Sequence, residues 1–228
     1  MTRSYQNFLI LQIAYMVSFP IVSMGGIPGK LIDMSFGMGI LILGLWLFGE
    51  KKRHVARETF IAVLLVALWV LELTQANNQS LALLRESILI LFYGRLTLVM
   101  AGHVFFSPDL LMKNRLYGAV SIYLMISAFF GVLYSLISLM LPNAFNCLPT
   151  VCNGDIAWYF QNGGDLYFSM ITLTTLGYGD ITPVHPLAGM LCSLEAVIGQ
   201  MYVAVVIGRL VGLHLTETQN PQTPHAVH

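Results

Sequence analysis

The chain has 228 residues, of which 57% are hydrophobic and only 10% are charged, and its mean hydropathy is +0.74. This composition excludes an ordinary soluble domain and is typical of a protein embedded in a lipid bilayer. The formal net charge is zero, so the charge balance gives no support to a nucleic-acid partner.

Six apolar runs approach the roughly 20 residues that a helix needs to cross a bilayer. They cover about 7–24, 33–49, 59–75, 81–104, 117–141 and 186–213. The first run follows Arg3, as in a signal peptide, but it has no clear small-residue cleavage site and five more runs follow it. We therefore predict an all-α membrane protein with six transmembrane helices, the first of them retained.

The basic residues indicate how these helices are oriented. If the runs alternate across the membrane, eight basic residues fall on one side: Arg3, Lys51, Lys52, Arg53, Arg57, Lys113, Arg115 and Arg209. Lys30 falls on the other side, while Arg85 and Arg95 lie within the fourth run. Because cytoplasmic loops carry an excess of Lys and Arg, we predict a multi-pass protein of the plasma (inner cell) membrane with both termini in the cytoplasm.

The fourth run has too few charges for a strong voltage sensor. Arg85 and Arg95 stand ten residues apart, whereas a sensor needs several charges at three-residue spacing, each contributing about 2.3 kcal/mol per 100 mV. We therefore predict weak or absent voltage dependence. Two interpretations of Arg85 stay open. It forms a structural ion pair with Glu72, near the outer end of the third run, or it senses voltage.

The loops after the fourth and fifth runs carry two further features. Residues 107–109 read Ser-Pro-Asp, which is a turn signal, so 107–115 are predicted to form a cytoplasmic linker. Cys147 and Cys152 lie in an outward loop where oxidation is possible. We predict a disulfide between them within one subunit, with a bridge between subunits as the alternative.

A short apolar stretch, 166–175, follows the sequence Gly-Gly-Asp that ends at Asp165. Asp165 is a suitable N-cap, because its carboxylate can accept hydrogen bonds from the first free amides of a helix. A helix of about ten residues is too short to cross the membrane, and a chain that re-enters at this depth must lie inside protein or beside a water-filled path. The C-terminal end of such a helix would direct a partial negative charge at a passing cation.

The next segment, 174–180, reads T-T-L-G-Y-G-D. Rings of backbone carbonyls can replace the water shell of K⁺, but aiming successive carbonyls at one axis requires a backbone of alternating handedness. Gly177 and Gly179 tolerate positive φ without steric cost, so they make that path accessible.

This segment resembles the potassium-channel signature T-V-G-Y-G-D, with Leu176 where valine is commoner. The resemblance extends over about 117–213 and implies a pore domain at 116–213, in which a re-entrant pore helix and a selectivity filter lie between two transmembrane helices. It also implies that 1–106 is a four-helix domain resembling a degenerate voltage sensor. The short polar tail at 214–228 is predicted to be disordered and cytoplasmic, too short for a regulatory domain.

The resemblance also implies the ion-binding residues. K⁺ would be held by the carbonyls of Thr175, Leu176, Gly177 and Tyr178, the Thr175 hydroxyl would close the innermost site, and Gly179 would complete the filter. Many family members have a tryptophan that bonds the aspartate after the filter. Tyr167 stands in such a place, so we predict a hydrogen bond from Tyr167 to Asp180.

Glu195 lies within the sixth run, where a carboxylate is costly and usually buried against partners. We predict that it faces the pore helix, accepts hydrogen bonds from Ser169 and Thr172, and braces the filter. Two interpretations stay open: Glu195 couples filter conformation to pH, or it is a neutral acid bonded to a neighbouring helix without a gating role.

One face of the sixth run is predicted to line the inner pore and to gate it by dewetting. Its residues are Gly199, Val203, Ile207 and Val211. Gly199 lies where the family often has a hinge glycine, and either a hinge or close packing of small residues between membrane helices accounts for it.

A single pore loop per chain, where four must ring an ion, predicts a homotetramer. We predict a potassium-selective channel that conducts K⁺ passively, with K⁺ and the lipid bilayer as partners and no cofactor. We find no nucleophile–base pair and no metal-ligand cluster in the sequence that would indicate an enzyme. Two alternatives stay open: a potassium uptake transporter, although those carry four degenerate pore loops per chain, and a non-conducting membrane sensor or scaffold that retains the pore fold.

Overall fold

The computed structural model describes residues 2–22, 26–48, 52–74, 78–107 and 110–219. Six long helices account for most of these residues, and the short elements lie between the fifth and the sixth of the long helices. The long helices are α1 (Thr2–Val22), α2 (Gly26–Phe48), α3 (Lys52–Thr74), α4 (Gln79–Phe106), α5 (Met112–Met140) and α9 (Pro186–Gln219). The short elements are β1 (Phe145–Cys147), α6 (Pro149–Cys152), α7 (Ile156–Tyr159), α8 (Asp165–Leu173) and β2 (Ile181–Pro183).

Four helices of the described chain, α1, α4, α5 and α9, are long and apolar enough to cross a bilayer. The apolar stretches of α2 and α3 are shorter, Leu31–Gly44 and Thr59–Leu71. Charged residues precede each of these stretches, which shortens the window that lipid tails can cover. The predicted all-α membrane class is confirmed, whereas six membrane crossings remain a prediction.

Two helices extend beyond the predicted bounds. α5 begins at Met112, so this helix includes the last residues of the segment 107–115, whose role as a cytoplasmic linker stays a prediction. α9 continues to Gln219, because Pro221 is the first residue after 213 that interrupts a helix. The prediction of a disordered tail is therefore wrong for 214–219, and 220–228 lie outside the described residues.

Two buried clusters hold the described elements together. In the first, Phe8 of α1, Leu65 of α3 and Met100 of α4 pack around Met125 of α5, all fully enclosed. This cluster attaches α1, α3 and α4 to α5.

The second cluster surrounds α8 with aromatic rings. Phe168 of α8 lies 5.1 Å from Tyr134 of α5 and 5.5 Å from Phe145 of β1, measured between ring centroids. Phe160, which begins the kinked segment 160–164 before α8, stacks on Phe168 at 5.8 Å. These rings wedge α8 between α5 and the outer loop, so its position does not depend on α9 alone.

A two-stranded sheet attaches the outer loop to the segment that follows α8. β1 and β2 pair in antiparallel register, with Cys147 opposite Ile181, and the Leu148 N–H donates to the Asp180 carbonyl at 2.9 Å. Cys147 and Cys152 form a disulfide whose Cα atoms are 6.4 Å apart. The disulfide loop is therefore bonded directly to the residue that ends the T-T-L-G-Y-G-D segment.

Candidate ion filter

The filter segment begins where α8 ends, and α8 itself starts differently from the prediction. Gly164 occupies the N-cap position without a side-chain hydrogen bond, and Asp165 is the first helical residue. The predicted capping role of Asp165 is wrong. The chain reaches α8 through a kink, in which Asn162 and Gly163 have non-helical φ angles of −109° and 92°. Gly164 already has helical dihedrals, so Asp165 lies inside the helix and not at an extended N-cap.

The backbone of the filter segment alternates in handedness. Positive φ angles occur at every second residue: 59° at Thr175, 51° at Gly177 and 80° at Gly179. The glycines adopt these angles at no steric cost. Thr175 is different, because a β-branched residue with positive φ is a genuine outlier that its surroundings must hold in place.

The amides of the filter turn back toward α8. The N–H groups of Leu176 and Gly177 both donate to the Ile171 carbonyl, at 2.9 and 3.0 Å. Among the hydrogen bonds between described residues, none ends on the carbonyl oxygens of 175–178. Amides fixed on one side and carbonyls left open on the other form the arrangement that a coordinating ring of oxygens needs.

The outer end of the filter is tied to Tyr167, as the resemblance implied. The Tyr167 hydroxyl donates to Asp180 Oδ2 at 2.7 Å, and the Ile181 N–H donates to Asp180 Oδ1 at 3.1 Å. Tyr167 also stacks on Phe19 of α1, with ring centroids 5.9 Å apart. No sequence pattern predicted this contact, which connects the outer end of the filter to the first helix.

Glu195 lies behind α8 and is fully buried. Ser169 donates to Glu195 Oε1, and the Tyr134 hydroxyl donates to Glu195 Oε2 at 2.6 Å. The predicted bond from Thr172 is absent, because the Thr172 hydroxyl donates to the Phe168 carbonyl of its own helix at 2.8 Å. Tyr134 was missed because nothing local in the sequence connects it to a residue on α9.

The inner face of α9 differs from the predicted single stripe. Gly199 is buried, and a Cβ added there would overlap the Leu173 carbonyl oxygen, whereas Val203 and Ile207 are 40% and 56% exposed. Residues four apart rotate by about 40° at each step around a helix, so the stripe turns away from α8. The contact favours close packing over a hinge at Gly199, and the side chain of Val211 lies outside the described set.

Gln200 is a further residue at the filter that the sequence reasoning missed. Its Nε2 atom donates to Thr175 Oγ1 at 3.3 Å. One sequence feature could have identified it: Gln200 is a polar residue within an apolar run and directly follows Gly199.

Charged residues of the four-helix part gather around a cavity of about 60 Å³ that also reaches Asp165. The Tyr15 hydroxyl donates to Asp33 at 2.6 Å, and Arg85 pairs with its neighbour Glu86 at 2.6 Å. Arg85 thus has a structural partner other than the predicted Glu72, whose side chain is not among the described ones.

Comparison with known proteins agrees with this geometry. Residues 116–213 match the model of a family described as "Ion channel". The chain is also similar to the inward rectifier potassium channel Kirbac3.1 of Paramagnetospirillum magnetotacticum, with 35% identity over 69 residues, which cover 29% of this chain and 23% of that protein. The chain thus matches about a quarter of the length of this curated relative. Both matches point to a channel rather than an enzyme, and together they support an ion channel of the potassium type at 116–213.

Proposed function

We propose that the chain assembles as a homotetramer and conducts K⁺ passively through a central pore in the plasma membrane. The observation that carries this proposal is the alternating backbone at Thr175, Gly177 and Gly179. Amides held by α8 leave the carbonyls of 175–178 free to replace the water around K⁺. The Thr175 hydroxyl closes the innermost site.

The exposure of the filter in one chain supports assembly. Leu176 and Tyr178 are 55% and 66% exposed although both are large and mainly apolar. A stripe on α9 is also exposed: Met190, Leu194, Val197, Met201 and Val205. Apolar surface beside a polar path is covered most simply by further copies of the same chain, and four loops around one axis supply complete rings of oxygens.

Val203 and Ile207 form the proposed gate region on the inner half of α9. Both are apolar and exposed in the single chain. Rings of such side chains close a pore when water leaves the constriction. The excess of basic residues on one side supports a pore whose inner end and both chain termini face the cytoplasm.

Weak or absent voltage dependence is part of the proposal. Arg85 is buried and paired with Glu86, the next residue of the same helix, so movement of α4 would carry both charges together with little net charge. Arg95 stands ten residues further along the helix, which is about 15 Å along its axis. Two arginines at this separation do not form the regular series that steep gating requires.

Ion flux through purified protein in liposomes tests the proposal. With an outward K⁺ gradient, we expect the liposomes to take up Rb⁺. Added K⁺ should compete with this uptake, whereas added Na⁺ should not. Equal uptake of Na⁺ and Rb⁺ would refute potassium selectivity. Absence of uptake across a series of pH values, voltages, membrane tensions and lipid compositions would favour the sensor or scaffold alternative.

A further inference from the structure

We propose that Gln200 is a positioning residue for the inner end of the filter: its side-chain amide holds the Thr175 hydroxyl in the orientation in which it meets the innermost ion. The inference rests on the proposed function and adds a residue that acts on the same site through Thr175. Gln200 lies on α9, and Thr175 lies in the loop after α8.

The hydrogen bonds of the Thr175 hydroxyl define its orientation. A hydroxyl has one proton and two lone pairs. The proton goes to the Thr174 carbonyl at 2.6 Å, and one lone pair accepts from Gln200 Nε2 at 3.3 Å. One lone pair remains for a cation on the pore axis.

Thr175 needs such support because its backbone is unfavourable. A β-branched residue at a φ of 59° occupies a sparsely populated region, which persists only where neighbouring groups over-determine it. The Thr175 N–H donates to the Thr172 carbonyl at 2.9 Å, so α8 holds the main chain. Gln200 acts from the other helix, on the side chain.

A backbone contact sets the height of Gln200 beside the filter. The preceding residue, Gly199, packs against the Leu173 carbonyl so closely that any Cβ would overlap it. The same carbonyl accepts from the Tyr123 hydroxyl of α5 at 3.3 Å. α5, α8 and α9 thus meet at Leu173, and this junction places the next side chain of α9 at Thr175.

Four copies would place four such amides around the inner mouth. Each Gln200 is exposed in the single chain, so its substitution removes no core contact. Two roles can then be distinguished. Either the amide positions the Thr175 hydroxyl and needs the full length of the glutamine side chain to reach it, or the amide only makes the inner mouth of the pore polar.

Three variants separate these roles. Gln200→Met keeps the length and removes the amide. Gln200→Asn keeps the amide and shortens its reach by one methylene. Ser193→Ala is the matched control, because the Ser193 hydroxyl lies on the same helix and bonds its own Gly189 carbonyl at 2.9 Å.

The probe is Ba²⁺, titrated into the purified full-length assembly in K⁺-free buffer by calorimetry, followed by Rb⁺ flux in liposomes. For Gln200→Met and Gln200→Asn we expect Ba²⁺ affinity to fall about fivefold, the effect of losing one neutral hydrogen bond. Ser193→Ala should match the wild type, and all four proteins should melt at the same temperature.

Several results would overturn the inference. Wild-type affinity in both Gln200 variants would show that the bond does not position the hydroxyl, and wild-type affinity in Gln200→Asn alone would show that only polarity matters. If the wild type binds Ba²⁺ but passes no Rb⁺, the proposed function fails while the variants still decide the role of Gln200. If the wild type binds no Ba²⁺, both fail.

Discussion

The pore part, α5 to α9, and the four-helix part, α1 to α4, handle their buried polar groups in different ways. In the pore part, Glu195 has Ser169 and Tyr134, and Asp180 has Tyr167, so each carboxylate has its own donors. In the four-helix part, Asp33 also has a tyrosine donor, Tyr15, but a cation, Arg85, lies at the same cavity, which Asp165 of α8 reaches from the pore side. Neutral donors alone hold the two carboxylates of the pore part, whereas an ion pair between Arg85 and Glu86 is added in the four-helix part.

This difference teaches what each part contributes. The filter backbone adopts sparsely populated conformations, which persist only because hydrogen bonds from side chains and to the carbonyls of α8 hold them. Its polar contacts therefore determine the shape of the filter. The four-helix part pairs Arg85 with Glu86, and the stack of Phe19 on Tyr167 connects this part to the filter. We therefore expect single polar substitutions to matter more in the pore part.

The largest expected effect is at Gly177. A Cβ added at Gly177 would meet nothing within 4 Å in the chain, but the φ of this residue is 51°. Gly177→Ala should therefore disrupt the filter through backbone strain and not through crowding. We expect loss of Rb⁺ flux from liposomes containing this variant. Gly102→Ala on α4 is the control, since that site is equally open without a positive φ, and it should conduct normally. Selective flux in Gly177→Ala would contradict the alternating backbone.

The second effect concerns Glu195. Tyr134→Phe removes one of two donors from a fully buried carboxyl group, so the free energy of unfolding should fall by about 2–3 kcal/mol. Thermal unfolding in detergent measures it, with Tyr117→Phe, a partly buried tyrosine of the same helix, as control. Equal melting of the two variants would show that the bond from Tyr134 to Glu195 does not stabilise the pore part.

The outer loop gives the third effect. The disulfide joins residues five apart, and closing a loop of this size contributes about 2 kcal/mol by restricting the unfolded chain. Cys147→Ser should lower the melting temperature accordingly and weaken the outer end of the filter, because Leu148 bonds Asp180. Mass spectrometry should find both thiols blocked in protein from an oxidising compartment, and free thiols would refute the bridge.

The fourth prediction separates the two interpretations of Glu195. Glu195→Gln keeps the shape and removes the titration. If Glu195 couples the filter to pH, the pH profile of Rb⁺ flux in the wild type contains a step that this variant lacks. Identical profiles, together with identical stability, would leave Glu195 as a bracing residue without a gating role.

The smallest effect is expected in the four-helix part. Arg95→Gln removes one of the two arginines of α4 and should leave the slope of the conductance–voltage relation unchanged in a planar bilayer. A steep relation in the wild type that flattens in this variant would show that α4 senses voltage, and the contrast between the two parts would then be wrong.

The sequence predicted the features that depend on neighbouring residues. The glycines of the filter and the short helix before it follow from local conformational preference, and the Tyr167–Asp180 bond followed from the family motif. Gln200 and Tyr134 were not predicted, because their partners lie 25 and 61 positions away and only the packing of three helices brings them together. Asp165 was misassigned because capping propensity does not reveal that the kink before α8 ends at Gly163 and that Gly164 is already helical.

The most direct test of the central claim is the position of the ion itself. In a structure of the assembled protein soaked in Rb⁺, we expect anomalous density on a fourfold axis, in a row beside the carbonyls of 175–178, with the innermost peak next to Thr175. Density elsewhere, or a filter without Rb⁺ in a well-ordered tetramer, would contradict the account.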